Sequence, residues 1–111
     1  MIFHMCRQTE WTASLATGRY PGSSQDQADG FIHFSTRAQI VDSAAKHRSG
    51  QADLVLIGVD PARLGPALRW EESRGGMAFP HLYGMLETAL VDWVRDLPLG
   101  ADGRHVFPEL P

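Results

Sequence analysis

Five histidines stand at positions 4, 33, 47, 81 and 105 of a 111-residue chain. Three of them sit in apolar, β-prone stretches: Ile2-Phe3-His4-Met5-Cys6, Phe31-Ile32-His33-Phe34-Ser35 and Phe79-Pro80-His81-Leu82-Tyr83. Imidazole titrates near neutral pH and serves as acid, base or metal ligand, but it is costly to bury without a hydrogen-bond partner. In extended backbone, residues two apart share a face. His4 therefore goes with Ile2 and Cys6, away from Phe3 and Met5, and His33 goes with Ser35, away from Ile32 and Phe34. If its segment is extended, His81 shares a face with Tyr83. Taken singly, each is a satisfied core histidine; taken together, they predict a shared pocket. His47 and His105, at a helix end and near the chain end, read as solvated.

Ser35-Thr36 stands where a strand should feed a helix. Free backbone N–H groups and the positive end of the helix dipole make such a junction an anion site, and Thr36 also suits a cap. Trp70-Glu71-Glu72 supplies carboxylates, and neighbours on a strand face opposite ways, so one of the two glutamates points inward and the other to solvent. Other chemistries lack their motifs. There is no H-E-x-x-H, Cys/His cluster or His-x-His, so a metal would need three histidines from distant segments. There is no G-x-S-x-G, G-x-G-x-x-G or P-loop. The single cysteine, Cys6, forms no internal disulfide and reads as packing.

The elements that must position these groups begin with a strand at residues 2–6. A helix follows, capped by Thr9, with Trp11, Leu15 and Ala16 on its apolar face and Gly18 at its end. Residues 19–30 read as a long polar loop, 31–35 as a second strand, and Thr36 with Gln39 as the capping box of a second helix ended by Ser49-Gly50. Ile40, Val41, Ala44 and Ala45 would form that helix's apolar face. The aliphatic run 54–59 predicts a central strand covered on both sides, stopped by Asp60-Pro61. Later come a strand at 68–72, a turn at 74–76, an ordered loop at 79–84, a strand at 88–94 and an edge strand at 105–107.

This is an α+β domain with two helices and four to six strands, and its length suits one domain. The apolar fraction of 43% excludes wholesale disorder. A net charge of −3 without a Lys/Arg run disfavours a broad nucleic-acid surface. The longest apolar stretch, 54–59, is far short of a membrane span, and no secretory signal is visible, which makes the cytoplasm the expected location.

Phe3-His4, Gly30-Phe31-Ile32-His33-Phe34-Ser35-Thr36, Arg69-Trp70-Glu71 and Phe79-Pro80-His81-Leu82-Tyr83-Gly84 together resemble the domain-of-unknown-function family nine-five-two, over residues 1–94. That family is similar in fold to ADP-ribosyltransferases. The resemblance implies a split mixed or antiparallel sheet of five to six strands with two helices, binding NAD in a cleft between two small sheets. By the same resemblance His4 orients the adenosine-side ribose, and Ser35 stands at the hydroxyl position of a following strand. The His33-x-Ser35 pattern is similar to that of RNA 2′-phosphotransferases. Glu71 becomes the glutamate that holds the nicotinamide ribose and stabilises charge growing at its anomeric carbon. Met5-Cys6 follows His4 in place of Gly-Thr, and no Glu-x-Glu pair is present, which argues against protein-arginine modification.

The expectation is a ligand of the NAD or ADP-ribose type. Glu71, His81 and His33 would be catalytic, with His81 as general acid or base, and His4, Ser35, Thr36 and Tyr83 would bind ligand. A non-catalytic module for a small phosphorylated ligand and a three-histidine metal-dependent hydrolase are the alternatives. Oligomeric state is not legible.

Overall fold

The computed structural model describes residues 1–111, apart from the side chain of Arg74. Four antiparallel strands make the main sheet, in the order β4 (Ser35–Thr36), β1 (Ile2–Arg7), β5 (Leu54–Val59) and β9 (Trp93–Leu97). The aliphatic β5 is buried along its whole length, as a strand covered on both faces must be. On one side Phe3, Met5, Leu54, Leu56 and Leu97 pack beneath Ile40 and Ala44 of helix α3 (Ile40–His47). On the other, Ile2, Cys6, Val55, Ile57 and Val59 meet Trp11 of helix α1 (Gln8–Thr17) and the two smaller sheets.

A second sheet runs in the order β3 (Ile32–His33), β7 (Ala78–Leu82) and β6 (Leu68–Glu72), and a third pairs β2 (Arg19–Tyr20) with β8 (Leu86–Glu87). One residue, Phe34, separates β3 from β4, and its N–H donates to the Pro80 carbonyl at 3.0 Å. The chain at 32–36 therefore leaves the small sheet and joins the large one within five residues, opening a cleft between them. Ile32, Leu68 and Leu82 turn one face of the small sheet into the core. The alternate residues Arg69, Glu71, His81 and His33 occupy the other, and His33 pairs across the sheet with His81, which pairs with Arg69.

The α+β expectation holds, with nine short strands and three α-helices among the described residues where five to six strands and two helices are expected. Several local expectations are corrected. Residues 19–30 are not a bare loop: they carry β2 and helix α2 (Ser24–Asp29). Residues 79–84 largely extend as β7, and 88–94 begin as a 3-10 turn, with the last strand starting at Trp93. His105 makes a single bridge with Leu99 rather than an edge strand, and Leu15 is exposed. Among the described residues, no helix is long and apolar enough to cross a membrane.

Candidate functional site

α2 is the element that organises the site. Ser23 caps it and accepts from the Asp26 N–H at 3.2 Å, while Asp26 Oδ2 accepts from the Ser23 N–H at 2.8 Å, a reciprocal capping box. Gly30 ends it at φ 88°, in the left-handed region that glycine adopts without strain. Gly22 packs so close behind the box that a Cβ there would stand 2.7 Å from the Asp26 Cβ. The buried Asp26 carboxylate then accepts from His33 Nδ1 at 2.5 Å and from the His33 N–H at 3.2 Å. Burial alone would raise the Asp26 pKa. The bond from the His33 ring, with those from the Ser23 and His33 amides, instead holds it down at about 2. His33 Nε2 meets Asp29 at 3.0 Å, so both of its ring nitrogens face carboxylates.

His4 is 3% exposed. Its Nδ1 donates to the His33 carbonyl at 2.6 Å, which fixes the tautomer, and Nε2 of the neutral ring accepts from the Tyr20 hydroxyl at 2.6 Å. Burial pushes the His4 pKa below 6.5, outweighing the Asp26 carboxylate 3.5 Å from Nε2. One side chain on the main sheet thus ties down a strand from each of the other two. Cys6, buried beside it, has its thiol pushed up to about 12 by burial and is inert packing.

His81 differs. Its Nδ1 donates to Glu71 Oε1 at 2.9 Å, and the Tyr83 hydroxyl donates to the same oxygen at 2.6 Å. These two bonds, Tyr83 first, hold the Glu71 carboxyl below its ordinary range, and the bond to Glu71 raises the Tyr83 phenol. No further partner meets His81 Nε2 among the described residues, and no buried side-chain nitrogen there lacks one, so that atom reaches open space. Phe31 stacks on the His81 ring (centroids 4.1 Å, 24°) and lies 4.5 Å from His33, while the two imidazoles stand 5.6 Å apart, edge to face.

A cavity of about 550 Å³ opens between the sheets, α2 and α3. Of the residues singled out from sequence, His4, His33, Ser35 and His81 line it. Glu71 and Tyr83 stand behind His81 and are not on its wall, so Glu71 touches His81 rather than the cavity. Thr36 is corrected: it lies in β4, its N–H is taken by Gln39 Oε1 at 3.0 Å, and α3 starts four residues later. The proposed anion site at that junction has no free amide at Thr36, and Ser35 Oγ shares a 2.8 Å bond with Ser43 Oγ. The metal alternative fails on geometry. Carboxylates, a carbonyl and a hydroxyl claim five of the six nitrogens of His4, His33 and His81, and no group of three His, Cys, Asp or Glu among the described residues could hold an ion.

Tyr20, Asp26, Asp29 and Phe31 were missing from the sequence reading of the site. The signal for Asp26 was present as Ser23-x-x-Asp26 closed by Gly30, a capping box inside what reads as a loop. His47 stays exposed at its helix end but lines the cavity, and His105 Nε2 is tied to the Gln51 carbonyl at 2.7 Å instead of being solvated.

Comparison with solved structures gives protein CC0527 from Caulobacter crescentus. Its X-ray structure is 48% identical with a TM-score of 0.91, covering 95% of this chain and 92% of that one. Its solution NMR structure, also 48% identical, has a TM-score of 0.83 and covers 93% and 89%. No curated protein matches. The sequence model described as "Protein of unknown function (DUF952)" matches residues 5–94, and the chain belongs to the DUF952 family.

Proposed function

We propose that the cavity binds NAD or another ADP-ribose-containing ligand and that His81 acts there as general acid or base. One observation carries the proposal: two imidazoles, each held by a carboxylate, stand 5.6 Å apart on the wall of one 550 Å³ cavity. That volume lies within the roughly 300–1,000 Å³ of small-molecule sites. The choice of NAD rests on likeness of fold. A cleft between a four-stranded and a three-stranded sheet is similar to the split-sheet cleft of the ADP-ribosyltransferase architecture, an analogy of fold and not of chemistry.

The residues fit such a ligand. Ser35 and Ser43 line the wall with their hydroxyls bonded to one another at 2.8 Å, a polar patch beside His33 and His81. NAD would supply a glycosidic bond whose cleavage releases nicotinamide, with water taking its place on the ribose carbon. The chain's own part is proton handling. Glu71, kept ionised by Tyr83 and His81, holds the proton of the neutral ring on Nδ1, and Nε2 is then the atom that takes up or returns a proton. Glu71 is a positioning residue in this scheme, in place of direct contact with the sugar. His33, held at both nitrogens, serves as a fixed polar wall.

Thermal unfolding with NAD and with ADP-ribose tests the binding. Ligand at 100 times its Kd adds about 2.7 kcal/mol of stability. Nicotinamide release lost in His81→Ala, with binding retained, supports the enzyme. Binding without turnover in the unaltered protein leaves a binding module. No stabilisation by either compound overturns the proposal.

A further inference from the structure

The cavity wall carries charge of both signs. All three carboxylates that line it are engaged by donors of the chain. Glu10 accepts from the Arg7 N–H at 2.9 Å, Asp26 from His33 and Ser23, and Asp29 stands against His33 Nε2. The two guanidinium groups on the same wall, Arg7 and Arg48, have no carboxylate partner among the described residues. Two arginines on one cavity without an ion-pair partner can accept an anion from outside the chain.

Arg48 is also held in place. Its Nη2 donates to the Met5 carbonyl and its Nη1 to Gln51 Oε1, each at 3.0 Å, so the group is fixed by neutral acceptors that leave its charge intact. A guanidinium has five N–H donors, and these bonds use two. The remaining donors belong to a planar, half-buried and pre-oriented fork, the geometry that matches phosphate oxygens. Arg7 follows the last buried residue of β1 and is exposed, so it can close on an anion from the solvent side.

We propose that Arg7 and Arg48 form a phosphate-binding subsite of this cavity and that the ligand's phosphate or pyrophosphate docks there. The identity of the rest of the ligand rests on the function proposed above, but the subsite does not. Calorimetric titration of the full chain with inorganic pyrophosphate and, separately, inorganic phosphate tests it without nucleotide. Saturable binding of at least one is expected, weakening with salt, with the tighter of the two telling a diphosphate from a monophosphate tail. Arg7→Ala, at an exposed position, should weaken that binding about tenfold, and Arg7→Glu should abolish it. Arg48→Lys keeps the charge but loses the fork, and should also weaken binding in protein that still unfolds cooperatively.

Absence of binding of either anion to the unaltered chain, or wild-type affinity in Arg7→Ala and Arg48→Lys, overturns the subsite. The two proposals separate cleanly. NAD binding that ignores both arginines sinks the subsite alone. Pyrophosphate binding that needs the arginines, with no response to NAD or ADP-ribose, sinks the nucleotide alone.

Discussion

His4 and His81 both lie in strands, are 3% and 6% exposed, and stand within reach of a carboxylate, yet they end in opposite situations. Both nitrogens of His4 are spent on the His33 carbonyl and the Tyr20 hydroxyl, and burial keeps the ring neutral. His81 spends one nitrogen on Glu71, and no partner meets the other among the described residues. Burial therefore does not distinguish the two histidines; the count of satisfied nitrogens does. The inner group of His4, Tyr20 and Asp26 holds three sheets together, and the outer group of His81, Glu71 and Tyr83 is left with capacity to spare.

The comparison breaks most visibly at Asp26. Asp26→Ala strips the acceptor from the Ser23 and His33 amides, each at about 1–3 kcal/mol for a buried donor left unpaired. A loss of roughly 2–6 kcal/mol is expected, read as a drop in the urea midpoint. An unchanged midpoint would mean that the inner group holds nothing together.

Acid separates the same parts in sequence. His4 has its folded pKa below 6.5, so the stability gained by keeping it neutral is whole above pH 6.5 and is lost as pH falls below that value. Asp26 has its folded pKa depressed from 3.8 to about 2, so its contribution is whole above 3.8 and is lost as pH falls towards 2. A depression of that size is worth about 2 kcal/mol. Stability measured against pH should fall in two stages, and His4→Leu should remove the upper stage while sparing the lower. A single fall below pH 4 in the unaltered protein would count against a neutral, buried His4.

Sequence alone placed the strand faces correctly. Ile2 and Cys6 do go with His4 into the inter-sheet core while Phe3 and Met5 turn away, because alternation along a strand is fixed by the backbone. His81 and Tyr83 do share a face and one glutamate oxygen. What sequence hid were groups whose role depends on long-range closure. Tyr20 reaches His4 across 16 residues, and nothing local marks it as a donor. Thr36 and Gln39 matched a capping box, but pairing of Thr36 with Ile2 kept that residue in a strand and left Gln39 to start the helix. Tertiary pairing won over local capping.

On the outer side, effects should fall on chemistry and spare the fold. Glu71→Gln keeps the shape and removes the charge that orients His81, and losing that orientation should cost up to about 100-fold, the lower end of what a general acid or base contributes. Nicotinamide release should drop by that order while thermal unfolding stays at the wild-type temperature. A large loss of stability instead would make Glu71 a second structural carboxylate and erase the contrast with Asp26.

Tyr83→Phe is the gentlest probe. It removes the first of the two donors on Glu71 Oε1 and leaves His81 Nδ1 in place, so the carboxyl pKa should move up towards its ordinary value without loss of the His81 bond. The acid limb of nicotinamide release should shift to higher pH, with the plateau rate reduced less than in Glu71→Gln. Carbon-detected NMR titration of the Glu71 carboxyl reads the same change directly. A pH profile and titration identical to wild type would mean that Tyr83 packs against Glu71 without tuning it, leaving His81 as its only functional contact.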